Sequence, residues 1–413
     1  MSRFLVLGGG ISGCTAGAEL AGLGHQVTIL EQSARFGGKL LDYCCKATDS
    51  CSRCGVCVAA AQVARAVRQN GVRIVPGAEV KSVRRGAGFA VQAARSNPSI
   101  DPGRCADCGA CLQACPAGAI ARQQKAELVQ YVVDYARCRL HQGKACQRCR
   151  EACPTGAVEL EASACSELAL KADALLLATG HQPFDAARKI RLGYGRFPGV
   201  LTGAEAEELL SRQESLGASS VAFVQCVGSR DPKEGNNYCS AVCCAYALRL
   251  ARVLRHREPG TEVAIYYIDL QNFDKAFGPL RAELQASGVR FQRGVPFRVE
   301  QVSSGRLALH FESPDGQQSV AEHDRVILSV GIRPEPRTAA LAGLLGLPLN
   351  THGFISSANP AAQVWACGTC LEPQGIPDSM ASARAVALDM SMAMDLSAAK
   401  HRGRSPQAAG RGA

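Results

Sequence analysis

FLVLGGGISGCTAGAELAGLGHQVTILEQ, residues 4–32, decides the fold of the first domain. An apolar run leads into a glycine turn, a small-residue helical pattern follows, and a second apolar run ends in an acidic residue. Gly8, Gly10 and Gly13 have G-x-G-x-x-G spacing. The first allows a tight turn, the second lets backbone approach a pyrophosphate, and the third lets helix and strand pack closely. The free N–H groups of the helix amino terminus attract phosphate. Glu31 stands where a carboxylate accepts both ribose hydroxyls. With strand, helix and acid all in place, the motif predicts a dinucleotide site.

The remaining 384 of 413 residues leave room for two or three domains. With 47% hydrophobic and 20% charged residues, each domain can bury a core. Cysteine is the outlier, at 21 residues in a chain too long to need disulfide staples. Arg3 and FLVLGGG read as a strand entering a turn rather than as a secretory signal, so a cytoplasmic protein with metal-bound thiolates is expected. No apolar run has the length of a membrane span. The net charge of +10 is scattered and aromatics are only 5%, which points to acidic protein partners rather than nucleic acid.

Further along, EQSARFGGKL carries Gly37 and Gly38, which resemble the second glycine pair of two-dinucleotide-domain flavoproteins. ALLLATG, ending at Gly180, resembles the strand and turn that return to the cofactor in those proteins. VWACGTC (364–370), with Gly368, sits where they bring a Gly-Asp turn to the flavin; Thr369 replaces the acid here. The resemblance implies FAD.

Between FAVQAAR (89–95) and the ATG turn lies an internal repeat. Cys105, Cys108, Cys111 and Cys115 follow C-x2-C-x2-C-x3-C-P, and Cys138, Cys146, Cys149 and Cys153 follow C-x7-C-x2-C-x3-C-P. The doubled ending resembles bacterial two-cluster ferredoxins, in which the fourth cysteine of one motif ligates the other cluster. The resemblance implies one [4Fe–4S] cluster on Cys105, Cys108, Cys111 and Cys153, and a second on Cys138, Cys146, Cys149 and Cys115. A structural zinc site would show two C-x-x-C pairs instead.

A second α/β unit is expected from about residue 205 to RVILSVGIRP (325–334). In thioredoxin-reductase-like flavoproteins this unit binds NAD(P)H, but the turn after SSVAFVQ offers only Gly228 and Gly235. It carries Cys226, Cys239, Cys243 and Cys244 instead, with Cys239 and Cys243 placed by their spacing on one helix face. QCVGSRD…YCS-x-x-CC-x-YAL and WACGTCLEPQGIPDSMASARAVAL (365–388) resemble the A subunit of heterodisulfide reductase. That family places a [4Fe–4S] centre on the four-cysteine motif, here Cys226, Cys239, Cys243 and Cys244. Where the family often has Lys, five residues after the last cysteine, this chain has Arg249. The absence of a second, carboxy-terminal ferredoxin resembles the compact A subunit of quinone-interacting membrane-bound oxidoreductases.

LDYCCKATDSCSRCGVC adds Cys51, Cys54 and Cys57 at C-x2-C-x2-C spacing, with Cys44 and Cys45 as candidate fourth ligands. Another cluster, a redox dithiol, zinc, or a cysteine-rich loop packed over the flavin all fit this run. Cys14 reads as a helix-packing residue, and Cys165, Cys367 and Cys370 have no motif partners.

The expected fold is α/β, a thioredoxin-reductase-like two-dinucleotide-domain flavoprotein with an inserted two-cluster ferredoxin domain. Its parts are a FAD domain in three segments (1–97, 161–204, 333–396), the insert (98–160), the second α/β domain (205–332) and a disordered tail (397–413). The resemblance implies an electron-transfer subunit of a heterodisulfide-reductase-like complex, linking a membrane quinol pool to a sulfur-metabolism reductase through partner subunits. The alternatives are a flavin-bifurcating subunit of a soluble complex and a stand-alone NAD(P)H-dependent reductase.

Overall fold

The computed structural model describes residues 1–161, 163–271 and 275–402, with side chains up to Leu396. The chain opens as β1 (Arg3–Leu7), α1 (Ile11–Gly22), β2 (Gln26–Glu31), α2 (Val56–Arg68), β3 (Val72–Pro76), β4 (Ala78–Arg85) and β5 (Phe89–Ser96). The insert follows as β6 (Ser99–Ile100), α3 (Ala110–Ala114), β7 (Ile120–Lys125), β8 (Leu128–Val133), α4 (Arg148–Glu151) and β9 (Val158–Glu159). Then come β10 (Cys165–Ala172), β11 (Ala174–Leu177), β12 (His181–Pro183), β13 (Val200–Thr202), α5 (Gly203–Ser211), β14 (Ser220–Val227) and α6 (Cys243–Arg257). The chain continues through β15 (Glu262–Tyr267), α7 (Phe277–Ala286), β16 (Arg290–Arg293), β17 (Val295–Gln301), β18 (Leu307–Glu312) and β19 (Gln318–His323). It closes with β20 (Arg325–Val330), β21 (Ile332–Pro334), α8 (Pro336–Leu345), β22 (Val364–Ala366) and α9 (Ile376–Arg402).

The first sheet is parallel in the order β22-β11-β1-β2-β3, with mid-chain β11 and late β22 on one side of β1 and the early strands β2 and β3 on the other. Side chains alternate across it. Phe4 and Val6 pack with α1, α2 and α9, whereas Leu5 and Leu7 pack against the β10-β5-β4 antiparallel sheet and α8. Both faces are covered, which is why its strands read as continuous apolar runs. α1 lies close because Gly17 faces Ile29, where an added Cβ would stand 2.8 Å from the Ile29 Cδ1.

The second sheet is also parallel, in the order β13-β20-β14-β15-β16. Val221 and Phe223 pack toward α6, and Ala222 and Val224 toward the β17-β18-β19 meander. Its edge strand β13 precedes residue 205 and helix α5 spans it, so the boundary expected there falls inside α5. A three-residue strand is too short to show periodicity. The two crossings between the domains pair with each other as β12 and β21, with His181 opposite Pro334.

β5 and β10 pair along their whole length, with Ser96 opposite Cys165. The insert therefore leaves and re-enters the sheet at one point, and its removal would leave the ladder intact. Its β7–β8 hairpin folds back on the first domain. Gln130 accepts from the Phe36 N–H and donates to the Phe36 carbonyl, both at 3.0 Å, while Lys125 reaches the carbonyls of Leu41 and Tyr43. At the far end, α9 runs on to Arg402, six residues into the segment expected to be a disordered tail. Residues 403–413 lie outside the described residues.

Candidate flavin cavity and cysteine sites

One cavity of about 1150 Å³ lies between the two sheets. Gly8, Gly10, Glu31, Gly37, Gly38 and Gly180 line it from the first domain. Gly8 has φ +117, and a Cβ there would stand 2.2 Å from the Ala178 carbonyl oxygen. Gly10 caps α1 without a side-chain hydrogen bond, and a Cβ on it would meet no atom within 4 Å. The helix end is thus open to a ligand and carries the positive end of the dipole. Glu31 is buried; it accepts from the Gly9 and Ser33 N–H groups at 2.8 Å and holds the turn from below. Two glycines expected at the cofactor are set back from this wall. Gly13 packs α1 on the turn, 1.9 Å from the Gly8 oxygen for an added Cβ, and Gly368 packs on Ser12.

Several cavity residues were not legible as site residues. His181 bonds Thr369 Oγ1 through Nδ1 at 3.0 Å, and burial first, then Lys39, lowers its pKa to about 4, so it is neutral at pH 7. Gln374 donates to the Gly368 carbonyl at 2.9 Å. Lys46 and Glu207 form a buried ion pair whose carboxylate also accepts from the Cys44 N–H at 2.7 Å. That pair joins the cysteine-rich loop of the first domain to α5 of the second. Only their positions in the fold, 161 residues apart in sequence, mark them.

The cysteine turn forms the opposite wall. Cys226, next to last in β14, lies in a register shift against β20 and has φ +60, a combination that re-aims a side chain. The following loop is tied by Asn236 donating to the Gly228 carbonyl at 2.8 Å, and Arg230 N–H reaches the Tyr238 carbonyl at 2.9 Å. α6 starts only at Cys243, so Cys239 does not share a helix face with it. Cys239 is exposed in the loop, where the Ala241 N–H donates to its sulfur at 3.3 Å. A positive φ at Ala241, between the two cysteines, breaks the helical path that the i, i+4 spacing implied. Cys239, Ala241, Val242, Ala245, Tyr246 and Arg249 all reach the cavity.

The four turn thiols stand within electrostatic reach of one another. Burial and then Cys244 and Cys239 push Cys226 up to about 12. Cys243 is raised well above its ordinary value by burial, then by Cys226, Cys244 and Cys239. Burial also raises Cys244, against a Gln271 N–H that favours the thiolate. Cys226, Cys243 and Cys244, each raised first by burial, are costly as bare thiolates, and a bound cation is what would offset that cost.

In the insert the thiols fall into two sets. Burial first, then Cys105 and Cys153, raises Cys111 to about 11, and Cys108 and Cys153 act on Cys105. Burial, then Cys146, Cys115 and Cys138, raises Cys149 to about 11. Cys115, Cys138, Cys146 and Cys149 also line one small apolar cavity with Ile120, Val133 and Leu160. The repeated C-P-x-G-A ends share a device. The Ala119 N–H donates to Cys115 at 3.3 Å, and the Ala157 N–H bonds Cys153. Among the described residues, no three His, Cys, Asp or Glu groups stand close enough to hold a single metal ion.

Cys14 is buried, its thiol pointed at the Gly9 carbonyl at 3.4 Å, and Cys367 and Cys370 are buried in the first domain's cores. Cys165 is exposed at the start of β10. No helix among the described residues is long and apolar enough to cross a membrane.

Residues 6–60 match the NAD(P)-binding Rossmann-like domain family, and residues 50–119 and 104–157 match the 4Fe-4S dicluster domain family. The fold resembles T. acidophilum thioredoxin reductase (TM-score 0.54, 13% identity, 96% of this chain and 99% of that one). Lactococcus lactis thioredoxin reductase gives the same TM-score at 12% identity, over 96% and 100% of the two chains. These likenesses establish a thioredoxin-reductase-like α/β flavoprotein fold carrying a dicluster insert. In sequence the chain is 30% identical to the iron-sulfur A subunit of the CoB–CoM heterodisulfide reductase of Methanocaldococcus jannaschii, over 94% of this chain and 64% of that protein. It is 31% identical to the A subunit of the ferredoxin/F(420)H(2)-dependent CoB-CoM heterodisulfide reductase of Methanosarcina acetivorans, over 93% and 52%. The chain thus spans between about half and two thirds of the length of these relatives. Over nearly all of its length the chain is thus similar to heterodisulfide reductase A subunits, and it carries matches to a Rossmann-like and a 4Fe-4S dicluster domain.

Proposed function

We propose that the chain is an iron–sulfur flavoprotein oxidoreductase subunit that passes electrons between FAD and partner subunits of a heterodisulfide-reductase-like complex. One observation carries this reading: the cysteine turn opens onto the same cavity as the glycine turn, on the wall where a nicotinamide site would need glycines. FAD would lie on Gly8, Gly10 and the α1 amino terminus, with Glu31 at a ribose and Gly37, Gly38, Gly180 and Thr369 along its length. Bound there, flavin exchanges electron pairs and releases them singly. Cys226, Cys239, Cys243 and Cys244 would hold one [4Fe–4S] cluster beside it. The two insert sets, Cys105, Cys108, Cys111 with Cys153 and Cys138, Cys146, Cys149 with Cys115, would hold two more. Neutral His181 positions Thr369 at the cavity, and Arg249 keeps a permanent positive charge at the turn's wall.

The finer reading places this subunit in the cytoplasm, joined through partners to a membrane quinol pool and a sulfur-metabolism reductase. It draws on the cysteine-turn and carboxy-terminal flavin motifs that resemble those of heterodisulfide reductase A subunits, and the membrane link would come through partner subunits. The test starts with protein purified without oxygen. Each cluster contributes about 4 iron and 4 sulfide, so the Cys239→Ser/Cys243→Ser variant is expected to lose about 4 of each per FAD. Unchanged iron in that variant, or steady NADPH oxidation by the isolated chain, would overturn the reading.

A further inference from the structure

The loop Cys51-Ser-Arg-Cys54-Gly-Val-Cys57 lies outside the three sites above, yet its backbone repeats that of the first insert loop, Cys105-Ala-Asp-Cys108-Gly-Ala-Cys111. The third residue is left-handed in both, Arg53 at φ +50 and Asp107 at φ +52. The glycine is left-handed in both, Gly55 at φ +81 and Gly109 at φ +74, and each caps the helix that carries the last cysteine. The N–H of the third residue points at the first sulfur in both: Arg53 to Cys51 at 3.4 Å, and Asp107 to Cys105. Ala241, at φ +58, does the same for Cys239 in the turn.

Asp tolerates the left-handed region, and Asp107 is further held there by Arg122 at 2.7 Å and Tyr131 at 2.8 Å. Arginine has no such preference, so Arg53 carries about 1 kcal/mol or more of strain unless something repays it. Packing does not. Cys54 is half-buried against the first domain's core, but Cys51 and Cys57 are exposed, so apolar filling accounts for one of the three cysteines only. All the thiols of this run are free.

The loop is also anchored where a relay would need it. Arg252 of α6 donates to Ser50 Oγ at 2.8 Å, and the buried Lys46–Glu207 pair fixes its base. Arg53 and Cys54 line the large cavity, while Cys51 and Cys57 face solvent. For a fourth ligand, Cys44 is buried with its thiol as well as its N–H bonded to Glu207, whereas Cys45 is exposed like Cys51 and Cys57.

We propose that Cys51, Cys54 and Cys57, with Cys45, hold a further iron–sulfur cluster at the rim of the flavin cavity. This inference extends the proposed function, but it stands on the loop's own geometry and is tested separately from the cysteine turn.

The test uses Cys51→Ser/Cys57→Ser and Cys45→Ser, substitutions at exposed positions, beside wild type and Cys239→Ser/Cys243→Ser. All are purified without oxygen and assayed for iron, acid-labile sulfide, zinc and flavin. Wild type is expected to hold about 16 iron per FAD. The double variant at 51 and 57 should lose about 4 iron and 4 sulfide with its flavin unchanged, and Cys45→Ser should lose at least one iron. Retained flavin and retained insert iron certify folding. Unchanged iron and sulfide in the 51/57 variant would overturn the proposal, as would loss of one zinc without sulfide. If only the 239/243 variant keeps its iron, the proposed function fails and this site stands.

Discussion

Gly10 and Gly13 belong to one motif, yet the structure separates what they do, and alanine at each tests that separation. Gly10 has φ −76 and ψ −172, open to any L-residue, and a Cβ there meets nothing within 4 Å. Gly10→Ala should leave the flavin-free fold within about 1 kcal/mol of wild type, on the stabilising side because the unfolded chain loses freedom. Its methyl would occupy the space through which a pyrophosphate approaches, so flavin affinity should fall at least about 100-fold, or ~3 kcal/mol. Gly13→Ala gains helix propensity of about 1 kcal/mol. Against that, its Cβ lies 1.9 Å from the Gly8 carbonyl oxygen, a backbone atom that moves only if α1 lifts from β1. Such overpacking costs about 1–3 kcal/mol or more, so this variant should lose stability as well as flavin. The assay pairs the flavin-to-protein ratio with the thermal midpoint of flavin-free protein, both without oxygen. Full flavin occupancy in Gly10→Ala would refute the cofactor path, and an unchanged midpoint in Gly13→Ala would refute the packing argument.

Lys46→Met should strand Glu207 in a buried site with no cation, only the N–H and thiol of Cys44, for partners. The expected cost is about 3–5 kcal/mol, largely recovered in Lys46→Met/Glu207→Gln, as read from thermal midpoints of single and double variants. Equal destabilisation in both would show that the pair does not join the domains as described. His323 lies buried between Ser220 Oγ at 2.8 Å and Tyr266 Oη at 2.9 Å, and burial, then Arg290 and Arg306, lowers its pKa to about 4. A folded pKa below the ordinary 6.5 means this group's stabilisation is complete above pH 6.5 and is lost as pH falls toward 4, by about 3 kcal/mol in full. His323→Gln should therefore flatten the fall in thermal midpoint between pH 7 and pH 5; an unchanged slope would place the acid sensitivity elsewhere.

The glycine turn, its acid and the doubled cysteine motif were legible in the sequence because they are local. Gly8 must be left-handed and Gly13 must lack a side chain, whatever the rest of the chain does. Thiols at C-x2-C-x2-C spacing likewise wrap one centre from a single loop. The sequence by itself thus determined the kind of chemistry: a dinucleotide turn, an insert of ferredoxin type, and thiols where a second dinucleotide turn would be. Tertiary structure decided where these meet. It put Cys239 off the helix that its spacing implied, because a left-handed residue at Ala241 delays the start of α6 to Cys243. It brought Lys46 to Glu207, clamped Gln130 of the insert onto Phe36 beside the glycine pair, and opened one cavity between two sheets. Those contacts span 94 to 161 residues of sequence. They depend on how two domains dock, a balance of buried area, ion pairing and hydrogen bonding that no short stretch of chain records.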